Sequence, residues 1–89
     1  MNPKRLWQRI QQGHFHNAHF ADLCRLMEAF GFVLERQSAT SHRIYRHPDV
    51  HDKMNVQPRR DGSAKHYQVR QLRDLVQEYD LKLEGGDAE

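Results

Sequence analysis

The spacing of apolar residues changes twice along this chain of 89 residues, and this change restricts the folds that it can adopt. Over residues 19–30 apolar side chains recur at intervals of three and four, as in an amphipathic helix. Over residues 32–57 the interval is two, which is typical of β-strands, and over residues 66–80 it returns to three and four. The sequence therefore predicts a helix, a group of short strands and a final helix.

A short additional helix is predicted ahead of this region. Asn2 is a favourable N-cap, and Pro3 fits the first helical position. The apolar residues that follow fall on one face of this helix: Leu6, Trp7 and Ile10. Gly13 ends it.

The period of two predicts three strands, at residues 32–37, 41–47 and 53–57. The connections between them, residues 38–40 and 48–52, are short enough for antiparallel hairpins. Two helices on one face of such a sheet give a two-layer α+β fold of order αβββα, with the other face of the sheet open.

The same pattern predicts three parts of the chain. Residues 1–18 form a short helical extension, residues 19–83 form the single domain, and residues 84–89 form a disordered acidic tail.

The charge is unevenly distributed, although the net charge is only +2. Residues 41–75 carry eight basic and four acidic side chains, whereas residues 76–89 carry one basic and five acidic ones. A basic middle segment favours a polyanionic partner such as nucleic acid.

Several classes of protein are excluded or disfavoured by composition. One cysteine cannot form an intrachain disulfide, and no apolar run reaches the roughly 20 residues of a membrane span. We expect a protein of the cytoplasm, with no membrane association. The chain also lacks a Gly-rich phosphate loop and a Cys-x-x-Cys pair, so no cofactor is expected.

The predicted topology gathers polar residues at one end of the sheet. His42 opens the second strand, and the phase of Ile44 assigns it to the helix-covered side, at the rim. The third strand ends at the same edge and is followed by three cations, Arg59, Arg60 and Lys65, and by the N-terminus of the last helix. Guanidinium, ammonium and helix N–H groups all bind phosphate, so this end is a predicted phosphate site that contains an imidazole.

The open face of the sheet offers a second possible RNA-binding surface. In the predicted register it carries basic and stacking groups: Arg43, Tyr45, Lys53 and Asn55.

At these residues the chain resembles the HicA family of toxins from type II toxin–antitoxin systems. The resemblance covers residues 20–83, and four segments carry it: Gly31-Phe32, the Ser-His-Arg-Ile-Tyr-Arg-His-Pro run at residues 41–48, Asn55-Val56-Gln57 and residues 65–75. Thr40 stands where the family has Gly, and His66 stands where it has Pro.

This resemblance implies a fold like that of a double-stranded-RNA-binding domain and an endoribonuclease activity that cleaves mRNA and stalls translation. It implies that His42 is the catalytic residue and that a HicB-type antitoxin covers the site. Together with the predicted phosphate site, it gives an expected set of RNA-binding residues: Ser41, Arg43, Tyr45, Arg59, Arg60 and Lys65.

The chemistry of such an enzyme requires no metal. A neutral imidazole can take the proton of a ribose 2′-OH, and fixed cations stabilise the transition state. His42 is the predicted general base, and Lys65 or His66 is a weaker candidate for the general acid. Two alternatives stay open: a non-catalytic RNA-binding module, and a protein-interaction domain without nucleic-acid chemistry.

Other residues with reactive side chains are given structural roles. His14, His16 and His19 lack an obvious fourth ligand, so no metal site is predicted there. Cys24 lies on the apolar stripe of its helix and is predicted to pack in the core.

Overall fold

The computed structural model describes residues 1–38 and 41–83, and it has the predicted order of elements. The helices and strands are α1 (Pro3–Gln11), α2 (Phe20–Ala29), β1 (Val33–Gln37), β2 (Arg43–His47), β3 (Val50–Val56) and α3 (His66–Tyr79). The α+β fold with its αβββα order is confirmed, and α1 precedes it as predicted. The tail at residues 84–89 and Thr40 lie outside the described residues.

Helix α1 begins as its sequence indicates. The side chain of Asn2 accepts a hydrogen bond from the backbone N–H of Arg5 at 2.8 Å, and Pro3 occupies the first turn. Trp7 then packs edge-on against Phe30 at the end of α2, with ring centroids 4.9 Å apart. The buried face of α1 therefore joins the same core as α2.

The sheet is antiparallel with the order β1-β2-β3, as the short connections predicted. The predicted start of the third strand at residue 53 is wrong, because β3 begins at Val50, which pairs with His47. Pro48 and Asp49 alone form the turn. The buried side chain of Val50 anchors this start, and the polar run after it had concealed the strand.

Helices α2 and α3 cover one face of the sheet, and α1 packs against these two helices. Their apolar sides and that face share a single core, whose largest fully buried side chains are Tyr45, Phe30, Ile10, Leu23, Leu26, Met27, Met54, Leu72, Val56 and Val69. Cys24 is 3% exposed within it, so its predicted structural role is confirmed.

The predicted phase of β2 is wrong. Tyr45, with no exposed surface, and the buried His47 face the helices, whereas Ile44 is only half-buried. Tyr45 pairs with Met54, whose side chain is also buried, and this pairing fixes the covered face. Because side chains alternate along a strand, Ile44 and the position of His42 belong to the open side.

Within the described part of the chain, no helix is long and apolar enough to cross a membrane.

Candidate active site

His42 lies at the entrance to β2, on the surface. It immediately precedes Arg43, the first residue of the strand, and its side chain is exposed. Its carbonyl accepts a hydrogen bond from the N–H of Ser38 at 2.9 Å, which closes the hairpin between β1 and β2. Ser41, just before it, has a positive φ of 69°, a conformation that few non-glycine residues adopt. His42 thus directly follows a residue in the left-handed backbone region.

The sheet register brings the end of β3 next to His42. Arg43 pairs with Val56, so continuing the antiparallel register by one residue places His42 beside Gln57. The Gln57 side-chain oxygen accepts a hydrogen bond from Lys65 Nζ at 3.5 Å. The ammonium of Lys65 therefore lies at the same end of the sheet as His42, although the alternation of β2 assigns His42 to the open side and not to the predicted helix-covered side.

Gln57 is itself held in place from α3. Its backbone N–H donates to the side-chain oxygen of the buried Gln68 at 3.2 Å. This contact joins the last part of β3 to the first turn of α3, where Lys65 is the N-cap residue. The buried Gln68 side chain consequently fixes the position of Gln57 relative to the start of α3.

The two arginines of the following loop have different surroundings. Arg59 closes a tight turn in which its N–H donates to the Ser63 carbonyl at 2.7 Å. Its positive charge helps to lower the pKa of His66 and, after hydrogen bonds from Ser63, that of Asp61. Arg60 is exposed on the same loop. The positive charge of Arg59 thus acts on both His66 and Asp61.

Arg43 and Tyr45 do not lie on the open face, and that prediction is wrong. The Arg43 guanidinium stacks over the Phe20 ring at 5.5 Å and donates to the Tyr45 hydroxyl at 3.4 Å. The Tyr45 hydroxyl donates to Glu28 at 3.2 Å. Tyr45 cannot stack on RNA bases in this fold, because none of its surface is exposed.

Cys24 belongs to the same buried group of polar side chains as Tyr45. Burial raises the pKa of the Cys24 thiol, and burial likewise raises the pKa of Tyr45. Both groups are consequently neutral at ordinary pH and act in packing and hydrogen bonding.

The other two residues predicted for the open face are exposed there, and one of them forms an ion pair with a residue of β1. Lys53 and Asn55 are exposed. The ammonium of Lys53 forms an ion pair with Glu35 of β1 at 3.1 Å, reaching across the middle strand. With Tyr45 buried, this face lacks the aromatic platform predicted for it.

Two histidines are in contact although the sequence does not predict it. His16 Nδ1 and His66 Nε2 are 3.2 Å apart, and the two rings meet edge-on with centroids at 4.1 Å. The residues are 50 positions apart, so no local pattern could predict the contact. The only sequence signal was that His66 departs from the proline of the resembled family.

His16 is one of the three N-terminal histidines at which no metal site is predicted. Among residues 1–38 and 41–83, no group of three or more His, Cys, Asp or Glu side chains is arranged to hold a metal ion.

Comparison with known proteins gives one finding. The family model described as the HicA toxin of bacterial toxin–antitoxin systems matches residues 20–77, well over half of the chain. No curated protein and no solved structure matches the chain significantly.

Proposed function

The chain belongs to the HicA toxin family of bacterial toxin–antitoxin systems, and we propose that it is an endoribonuclease that cleaves mRNA with His42 as its catalytic residue. The family match confirms the resemblance found in the sequence and implies an RNA target and an antitoxin partner. The observation that carries the catalytic assignment is the position of His42, exposed at the sheet end where Gln57 holds the ammonium of Lys65.

The proposed reaction is a metal-independent transesterification. Neutral His42 accepts the proton of a ribose 2′-OH, the 2′-oxygen attacks the adjacent phosphorus, and the bond from phosphorus to the 5′-oxygen breaks. The leaving 5′-oxygen takes up a proton from an acid. The products are a 2′,3′-cyclic phosphate and a 5′-hydroxyl end.

Lys65 supports this reaction through its charge. A fixed ammonium beside the reacting phosphate stabilises the additional negative charge of the transition state. Lys65 is also proposed as the general acid, because its ammonium contacts Gln57 at the same end of the sheet as His42, whereas His66 contacts His16. Ser41 flanks His42 and is proposed to position the phosphate, whereas the Arg43 guanidinium is directed to Phe20 and Tyr45 on the covered side. Arg59 and Arg60 are proposed to bind RNA further along the loop.

The biological setting follows from the family. We propose a HicB-type antitoxin as the protein that covers His42, and the cytoplasm, where mRNA is translated, as the site of action. The division into an extension at residues 1–18 and a domain at residues 19–83 is proposed on the same basis, since the family match begins at residue 20.

The test is cleavage of a single-stranded RNA by the full chain and by His42→Ala. We expect loss of cleavage by at least about 100-fold, the usual contribution of a general base. His51→Ala is the matched control, because His51 is an exposed histidine on β3 at the opposite end of the sheet. Circular dichroism checks that each variant is folded, and activity in the presence of EDTA tests metal independence.

Undiminished cleavage by folded His42→Ala would refute the catalytic assignment. RNA binding without cleavage by the parent chain would instead favour the non-catalytic RNA-binding module. That alternative relied on a stacking aromatic on the open face, and the burial of Tyr45 removes its main support.

A further inference from the structure

The segment between α1 and α2 is held against the first half of α3. His16 of this segment contacts His66 at 3.2 Å, and the Arg9 side chain donates to the His16 carbonyl at 3.4 Å. These contacts place an imidazole from outside the family-matched residues 20–77 beside the start of α3.

A second contact fixes the neighbouring arginines of α3. The guanidinium groups of Arg70 and Arg73 lie over the ring of Phe15, at 5.3 and 5.1 Å from its centroid. Phe15 is half-buried against the core, so both guanidinium groups lie on a packed ring. Such cation–π contacts orient a guanidinium while leaving its N–H groups available to another ligand.

Together these residues form a cationic cluster, which we define as His16, Arg59, His66, Arg70 and Arg73. The pKa of His66 is lowered by desolvation and then by the charges of His16, Arg59 and Arg70, in agreement with this grouping.

Two carboxylates lie near the cluster and offset part of its positive charge. Asp74 forms an ion pair with Arg73 at 2.8 Å, and Asp61 accepts hydrogen bonds from Ser63. Within residues 1–38 and 41–83, no ion pair includes Arg59 or Arg70. The cluster therefore has an excess of positive charge at the surface.

We propose that this cationic cluster binds a backbone phosphate of the RNA substrate, at a subsite separate from the reacting phosphate at His42. The inference rests on the proposed function for the identity of the polyanion. It assigns a binding role to the N-terminal extension, which supplies His16 and, through Phe15, the orientation of Arg70 and Arg73.

The chemistry of the cluster favours an anion over a metal ion. Two imidazole nitrogens 3.2 Å apart have a separation that tetrahedral zinc would accept. However, the charges of Arg59 and Arg70 beside them repel a divalent cation and attract a phosphate.

The position of the cluster favours the substrate over an acidic protein segment. His66 directly follows Lys65, the cation proposed to serve the reacting phosphate. From His66 to Arg73 the helix rises by about 10 Å, so the positive surface continues away from the catalytic centre along α3. One RNA strand can therefore contact both sites.

The test measures RNA affinity in full-length protein that carries His42→Ala, so that the probe stays intact. A fluorescent single-stranded RNA is titrated at several salt concentrations with Arg70→Gln added, or with Lys82→Gln as a control of equal charge. Lys82 is exposed beyond the far end of α3 and pairs only with Asp80 among the described residues.

We expect Arg70→Gln to weaken binding by about three- to tenfold and to reduce the slope of log affinity against log salt by roughly 0.7, as for one lost phosphate contact on a single strand. Lys82→Gln leaves both quantities near the parent values. His16→Ala is the second variant and weakens binding in the same direction. In the catalytically competent chain, Arg70→Gln raises KM and leaves kcat unchanged.

Equal affinities for Arg70→Gln and Lys82→Gln would overturn the inference, as would a loss of antitoxin binding with unchanged RNA binding. Failure of the proposed function has a different signature. A parent chain that binds RNA through Arg70 but does not cleave it would refute the nuclease and leave the cluster in place.

Discussion

His47 connects the turn of the second hairpin to the end of α2 through Phe30. Its Nδ1 accepts a hydrogen bond from the Asp49 N–H at 3.0 Å, so the ring proton is on Nε2, which donates to the Phe30 carbonyl at 3.0 Å. The ring also packs edge-on against Phe32, with centroids 5.2 Å apart. One imidazole thereby satisfies a helix-end carbonyl and a turn amide.

We predict that His47→Ala lowers the free energy of unfolding by about 2–3 kcal/mol, because both partners lose a hydrogen bond in a largely buried place. Urea denaturation followed by circular dichroism measures the change. His51→Ala, at an exposed position of β3, is expected to change it by no more than about 0.5 kcal/mol. Similar losses for both histidines would contradict the structural role of His47.

The substitution Tyr45→Leu distinguishes a role of this side chain in the core from a role in stacking on RNA bases. Loss of a fully buried aromatic is expected to lower the free energy of unfolding by about 3 kcal/mol. RNA affinity, measured at a temperature where the variant is folded, stays unchanged. If Tyr45 stacked on RNA bases, its replacement would instead weaken binding by about 1–3 kcal/mol, and that result would contradict the burial of Tyr45.

The matched control for Tyr45 is Tyr67→Leu. Tyr67 is 60% exposed on the first turn of α3, so its replacement should change stability little.

Asp80→Gly is predicted to stabilise the protein by about 1 kcal/mol. Asp80 ends α3 in the left-handed region with φ 53°, where glycine has no steric penalty, and its carboxylate lies unfavourably at the negative end of the helix. Its ion pair with Lys82 joins two highly exposed side chains and contributes little. Thermal unfolding gives the sign, and a lower Tm than that of the parent would show that the prediction is wrong.

RNA binding should tighten as the pH falls from 7.5 to 5.5. The lowered pKa of His66 means that this ring is neutral near pH 7 and gains its charge only below the ordinary value of 6.5. A bound phosphate favours the charged ring and therefore raises the pKa of His66, which NMR of the ring protons with and without RNA would detect. In His66→Gln, the pH dependence should be weaker than in the parent.

The effect of His66 on folding has the opposite sign. Its pKa is lower in the folded chain than in the unfolded one, so its contribution to stability is complete above pH 6.5 and is lost as the pH falls through the folded pKa. Acid thus weakens folding slightly at this residue while strengthening RNA binding. A pH titration of RNA affinity that is identical in parent and His66→Gln would refute the linkage.

The element order was predictable because apolar spacing directly reports which side of a helix or strand is buried. The phase of β2 was not, because Ile44 and Tyr45 are adjacent apolar residues on opposite faces and either could have faced the helices. The pairing of Tyr45 with Met54 decided it, and this pairing depends on register across the hairpin. The start of β3 at Val50 was missed for a related reason, since exposed polar residues follow it along an edge strand.

The candidate site was predictable to the extent that chain topology determines it. The meander required the start of β2 and the end of β3 to meet, and this places His42 near Gln57 and Lys65. The contact between His16 and His66 depends on how the N-terminal segment crosses α3, which no repeat or local spacing encodes.

The irregular pairing of β1 has a consequence for behaviour at high protein concentration. This strand forms one edge of the sheet, and its pairing shifts between Leu34 and Arg36, with Val33 and Leu34 among the exposed apolar residues. A regular edge strand with these exposed apolar residues would be a template for strands of other molecules and would favour fibril formation. The shift interrupts the regular hydrogen-bonding repeat of this edge, which disfavours its pairing with strands of neighbouring molecules.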